Sequence, residues 1–147
     1  MTTELGSIEA VRRPTAVQRW AQFAASVYLM LGIFGLLRSG LGDITSPDGR
    51  HVFVVLSHPI TALVHLAIGL VGVYAATRLA WARVFLGVLS GLLVAWAVFG
   101  LTLDGEPNDV FTADRWTVAV HLVPGLVSLV MALVPARAAA PEDAGPA

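Results

Sequence analysis

The chain has 147 residues, 56% of them hydrophobic and only 13% charged, with a mean hydropathy of +0.77 and a formal net charge of -1. Soluble domains carry roughly a quarter charged residues, so the composition excludes an ordinary water-soluble fold. The absence of cysteine excludes disulfides, thiolate metal sites, haem thioethers and redox dithiols.

At this length one domain is expected. Four windows, 20–37, 52–77, 84–103 and 116–136, contain no Asp, Glu, Lys or Arg. A helix needs about 20 apolar residues to cross a hydrocarbon core of roughly 30 Å, and each window approaches that requirement. The windows are continuously apolar, not alternating, and four strands cannot close a membrane barrel. The fold class read from the sequence is therefore all-α, a four-transmembrane-helix bundle.

Residues 1–17 form an N-terminal segment that carries Arg12 and Arg13. Basic residues before an apolar run also open a secretory signal, but 19 residues precede the first window and no small-x-small cleavage site follows it. Pro14 and Thr15 replace the hydrophobic follow-up of a twin-arginine signal. The domain spans 18–136, with helix one at about 20–37. The loop at about 38–57 follows, then helix two at about 58–77, with Ser57 as its N-cap and Pro59 at its start. Arg78, Trp81 and Arg83 fill the short turn before helix three, at about 84–103. A water-facing acidic loop, Asp104-Gly-Glu-Pro-Asn-Asp, leads to helix four at about 116–136. Pro124 removes a backbone donor there and clashes with the Val120 carbonyl, which predicts a kink. Residues 137–147 form a tail rich in Ala and Pro.

Arg12, Arg13, Arg19, Arg78, Arg83 and Arg137 fall on one side of this arrangement. Arg38, Arg50 and Arg115 share the other with six acids. The arginine excess places both termini in the cytoplasm of a multi-pass inner-membrane protein. Trp20 and Trp116 lie at window edges, where indole rings favour the headgroup level.

Residues 61–71, TALVHLAIGLV, and 117–127, TVAVHLVPGLV, agree at seven of eleven positions. Phe34-Gly35-Leu36 recurs as Phe99-Gly100-Leu101. The bundle therefore reads as two repeated helical hairpins related by an axis along the membrane normal. Within each copy Thr, His and Gly stand at i, i+4 and i+8, so Thr61, His65 and Gly69, and likewise Thr117, His121 and Gly125, form a polar stripe for helix packing. Gly32, Gly35, Gly72, Gly87 and Gly91 add small faces.

His65 and His121 lie at similar depth and are the candidate cofactor-binding pair, as axial ligands of a b-type haem, with the threonine one turn earlier orienting each ring. The competing reading has each imidazole bonded to Thr or a backbone carbonyl, pinning helices together. His51 and His58, at a spacing of seven, match no metal-ligand pattern and read as solvated loop residues, so no metal site is expected. Ser26 and Ser90 have no base nearby in sequence. The windows hold no carboxylate, lysine or cysteine for catalysis or proton-coupled transport, and no basic patch points to nucleic acid; no catalytic residue is assigned.

The His-Leu-x-x-Gly-Leu signature of helices two and four, His65-Leu-Ala-Ile-Gly-Leu and His121-Leu-Val-Pro-Gly-Leu, resembles that of small four-helix membrane proteins of actinobacteria that carry a domain of unknown function. The resemblance covers roughly residues 18–136 and brings no activity with it. Pro124 departs from the first copy. The resulting expectation is a non-enzymatic accessory or assembly-stabilising component of the bacterial inner membrane with no cofactor. Its partners would be the lipid bilayer and a further membrane protein or a second copy. The alternatives are a haem b electron-transfer protein using His65 and His121, and a small-molecule or lipid sensor with its pocket between the repeats near Pro124.

Overall fold

The computed structural model describes residues 13–41, 50–52, 55–102 and 115–135. Among them are four helices and one short hairpin, in the order α1 (Ala16–Ser39), β1 (Arg50–Val52), β2 (Val55–Ser57), α2 (Pro59–Ala75), α3 (Leu79–Thr102) and α4 (Arg115–Leu133).

Helix α1 begins four residues ahead of its charge-free window because Thr15 caps it. The Thr15 hydroxyl accepts from Gln18 N at 3.3 Å, and Gln18 Oε1 accepts from Thr15 N at 3.2 Å, a reciprocal capping box. The helix stops at Gly40, whose φ of 72° lies in the region glycine tolerates and whose N–H donates to the Leu36 carbonyl at 2.8 Å. The apolar run opening the second window does not belong to helix two. Strands β1 and β2 pair antiparallel there, with Arg50 opposite Ser57, His51 opposite Leu56 and Val52 opposite Val55.

Helix α2 then starts at Pro59. The residue before a proline is pushed out of the helical region, and His58 is extended (φ -102°, ψ 160°). His58, not Ser57, is therefore the N-cap. Thr61 Oγ1 accepts from His58 N at 2.8 Å and donates to the His58 carbonyl at 2.9 Å. Helix α3 starts earlier than its charge-free window, so Trp81 and Arg83, expected in a turn, lie in its first turns; the connection from α2 is residues 76–78. Arg83 Nη2 donates to the Val134 carbonyl at 2.6 Å, closing the end of α4. Helix α4 runs through Pro124.

The two hairpins are the main packing units. Helix α1 packs chiefly on α2, and α3 on α4, with α1 also touching α3 and α4. The α1/α2 crossing is set by glycine. A Cβ on Gly32 would stand 2.5 Å from the Leu66 nitrogen, and one on Gly69 would stand 2.5 Å from the Leu29 nitrogen. Gly35 sits against Ala62, and Gly72 against Ala25 and Phe85. A Cβ on Gly125 would meet α3 more loosely, 3.1 Å from Leu93 Cβ. A Cβ on Gly87 or on Gly91, both expected to add packing faces, would meet nothing within 4 Å.

The apolar cluster includes Val17, Ala21, Ala24, Ala75, Ala82, Phe85, Leu86 and Leu89, and so fills the end of the bundle that carries the α2–α3 connection. Bonds from three side chains close that end. Gln18 Nε2 donates to the Ala76 and Thr77 carbonyls at 3.2 and 3.3 Å, Trp20 Nε1 donates to Ser128 Oγ at 3.1 Å, and Arg83 reaches Val134 as above. Trp20, expected at the headgroup level, is half-buried and turned toward α4, while Trp81 and Trp116 are exposed.

In the α1/α2 pair side-chain size is distributed inside out. The buried positions of α1 and α2 are mostly Ala and Gly, whereas Phe23, Met30, Leu70, Val88, Leu92 and Val130 are among many large apolar side chains exposed on the four helices. Two helices, α1 and the stretch Leu79–Leu101 of α3, are long and apolar enough to cross a membrane; α2 and the apolar part of α4 are shorter.

Candidate functional site

Above the apolar cluster, toward the end that carries the β hairpin, the four helices leave a cavity of about 220 Å³. Helix α2 supplies Ile60, Thr61, Val64, His65 and Ile68. Helix α1 contributes Tyr28, helix α3 Leu92, Leu93 and Trp96, and helix α4 His121. Tyr28 and Leu93 belong also to the apolar cluster and so form the floor. Val64 and Leu92 are more than half exposed, which puts the mouth between α2 and α3, on the side of the bundle.

The structure brings His65 and His121 together. Their ring centroids are 5.9 Å apart with planes inclined by 27°. Tyr28 stands 5.4 Å from His65 and Trp96 stands 6.4 Å from His121, both tilted. Four aromatic rings, one from each helix, thus meet in one layer. Both histidines are buried. His65 Nδ1 is enclosed and has no hydrogen-bond partner, which leaves a polar atom uncompensated in an apolar wall.

Neither Thr61 nor a backbone carbonyl holds that nitrogen, because the Thr61 hydroxyl is engaged by the backbone of His58. Thr117 lies in the first turn of α4; its side chain falls outside the described residues. Gly69 and Gly125 are buried where α2 meets α1 and α4 meets α3, not in the cavity. Pro124 is half-buried one turn along from His121, also outside the lining. His58, expected in solvent, is 2% exposed, because the proline that follows draws it onto the helix start. The side chains of His51 and Arg115, and residues 42–49 and 103–114, lie outside the described residues. Ser26 bonds the Gln22 carbonyl at 2.9 Å, and Ser90 is buried. Among the described residues no three His, Cys, Asp or Glu side chains cluster to hold a metal.

A haem between His65 and His121 can be tested against this geometry. Imidazole nitrogen lone pairs lie in the ring plane, so axial ligands turn their edges to the iron with the macrocycle across the gap. The space beside the two rings, about 220 Å³, is below the roughly 300–1,000 Å³ of ordinary ligand pockets and leaves no room for a macrocycle. The residues as placed do not fit a haem.

Tyr28 and Trp96 are the residues that sequence reading missed. Each is a polar-edged aromatic within a charge-free stretch of helix, and such groups, when buried, usually seek a partner. That is the signal that could have found them.

No curated protein and no solved structure matches the chain. Residues 18–134 match the domain of unknown function DUF4383. The match takes in all four helices but for the first two residues of α1, so the chain belongs to the DUF4383 family.

Proposed function

We propose that this protein is a non-enzymatic, multi-pass component of the bacterial inner membrane, with all four helices spanning and both termini in the cytoplasm, serving as an accessory or assembly-stabilising subunit. The observation that carries this reading is the inverted size distribution of the α1/α2 pair. In water the hydrophobic effect buries large apolar side chains, and soluble monomers rarely expose apolar patches beyond a few hundred Å². In lipid that drive vanishes between helices, and small residues are selected where backbones meet. Gly32 on Leu66 and Gly69 on Leu29, beneath an exterior of Phe, Leu and Val, follow the second rule.

The shorter helices fit the same solvent. Helix α2 has 17 residues and no charge, and α4 has 19; at 1.5 Å per residue they extend about 26 and 29 Å, close to a hydrocarbon core of roughly 30 Å. A repeat is supported by one matched contact. Offsets of 56 and 65 residues carry Gly69 onto Gly125 and Leu29 onto Val94, and a Cβ added to either glycine would meet the backbone nitrogen of its partner, at 2.5 and 3.5 Å. The non-enzymatic reading rests on helices without Asp, Glu, Lys or Cys. An accessory role is supported by α3, which turns Gly87 and Gly91 outward at a spacing through which membrane helices approach one another.

Alkaline carbonate extraction of bacterial membranes tests the first part of the proposal. The chain is expected in the membrane pellet and released only by detergent. Release into the carbonate supernatant would reduce it to a peripheral or soluble protein and remove the proposal.

A further inference from the structure

The cavity has a built-in recognition element that packing alone does not explain. A 150 Å³ apolar cavity is enough to take up benzene, so about 220 Å³ holds one ring with a few substituents. Its aromatic layer offers faces and edges to such a ring, since Tyr28, His65, His121 and Trp96 stand 5.4 to 6.4 Å from one another along the layer. His65 is 7% exposed, lines the space, and keeps Nδ1 without a partner. That nitrogen is enclosed, so a ligand reaches it by turning the imidazole about its Cβ–Cγ bond; a hydroxyl both donates and accepts, and so satisfies it whether or not it carries the proton. A carboxylate or an ammonium would bring a charge into a wall that has no countercharge.

We propose that the cavity between α2 and α3 binds a single-ring phenolic molecule, ring in the aromatic layer and hydroxyl on His65, admitted past Val64 and Leu92. The ring comes either from a bilayer-borne phenol whose alkyl tail leaves through the mouth or from a small free phenol. Entry from lipid rests on the spanning reading above; the site itself does not, because binding is measured on purified protein while membrane insertion is tested by extraction.

The test is equilibrium dialysis of 4-propylphenol against nanodiscs that contain the full-length protein and against empty nanodiscs. One saturable equivalent per chain is expected above the partition into lipid. Propylbenzene, which lacks the hydroxyl, is expected to bind about fivefold more weakly, the ratio a single net hydrogen bond gives. In His65→Phe the ring volume is kept and that ratio falls to about one; His65→Leu gives the same comparison should the phenylalanine variant not fold. Val64→Trp closes the mouth and is expected to abolish the saturable component for both probes while leaving the unliganded unfolding temperature in place. Retention of binding by 4-dodecylphenol assigns a bilayer-borne ring, and its loss assigns a free phenol. Absence of a saturable equivalent in the wild-type protein overturns the proposal. So does a fivefold preference that survives removal of the imidazole, or saturable binding that survives Val64→Trp.

Discussion

Replacing the glycines by alanine one at a time gives a graded series whose order follows from distances. At Gly69 an added Cβ stands 2.5 Å from the Leu29 nitrogen and 2.7 Å from its Cα. Ordinary contact begins near 3.4 Å, so α1 and α2 must part by about 0.9 Å there. The obstacle is backbone, which no rotamer change can clear. Overpacking of this kind costs about 1–3 kcal/mol, offset by about 1 kcal/mol of helix propensity gained on leaving glycine; with a backbone obstacle that places the cost at the upper end, a net loss of up to about 2 kcal/mol is expected. Gly32→Ala meets Leu66 in the same way and should cost the same. One outward shift relieves both, so the double variant should cost clearly less than the sum of the two. Gly125→Ala meets Leu93 Cβ at 3.1 Å and should be near neutral. Gly87→Ala and Gly91→Ala enter open space and should stabilise by up to about 1 kcal/mol. Equilibrium unfolding in mixed micelles, followed by tryptophan fluorescence, ranks the set. Equal effects at Gly69 and Gly91, or full additivity of Gly32→Ala with Gly69→Ala, would refute the close crossing.

Trp20→Phe removes the indole bond to Ser128 and should lower stability by about 0.6 kcal/mol, the mean for interhelical bonds in membranes; a double-mutant cycle with Ser128→Ala isolates that coupling, and no coupling would place the indole elsewhere. Ser57→Ala removes a buried hydroxyl that has no partner, so thermal unfolding should show no loss and a gain of up to about 1 kcal/mol. An oxidised and dithionite-reduced absorbance spectrum of protein made in cells supplied with haem precursor should lack an α-band. A band lost in both His65→Ala and His121→Ala would overturn the exclusion made from the cavity's volume.

The helices were legible because lipid imposes one rule along the chain: a charge-free run near 20 residues long. Their ends were not, because capping is local chemistry. Thr15 with Gln18 draws α1 ahead of Arg19, and the Thr61 hydroxyl fixes His58 as the start of α2. Residues 38–57 read as a loop, and the strands within it were missed because a three-residue apolar strand carries no signal that sets it apart from the charge-free run it opens; only the pairing of Val52 with Val55 shows it. The meeting of the two histidines could be anticipated from their similar depth. The part played by Tyr28 and Trp96 could not, since in a helix apolar on every face the sequence carries no phase. The same loss of phase made all seven glycines look equivalent, although Gly87 and Gly91 lie on the face of α3 opposite Leu86, Leu89 and Leu93.

The topology decides the account, and the cysteine-free chain suits single-cysteine labelling. Thr77→Cys, in the α2–α3 connection, and Gly105→Cys, between helices three and four, are treated with a membrane-impermeant maleimide in intact spheroplasts and again after lysis. The account predicts labelling of position 105 from outside and of position 77 only after lysis. Labelling of both positions from the same side would leave helix three outside the membrane and contradict the four-span bundle.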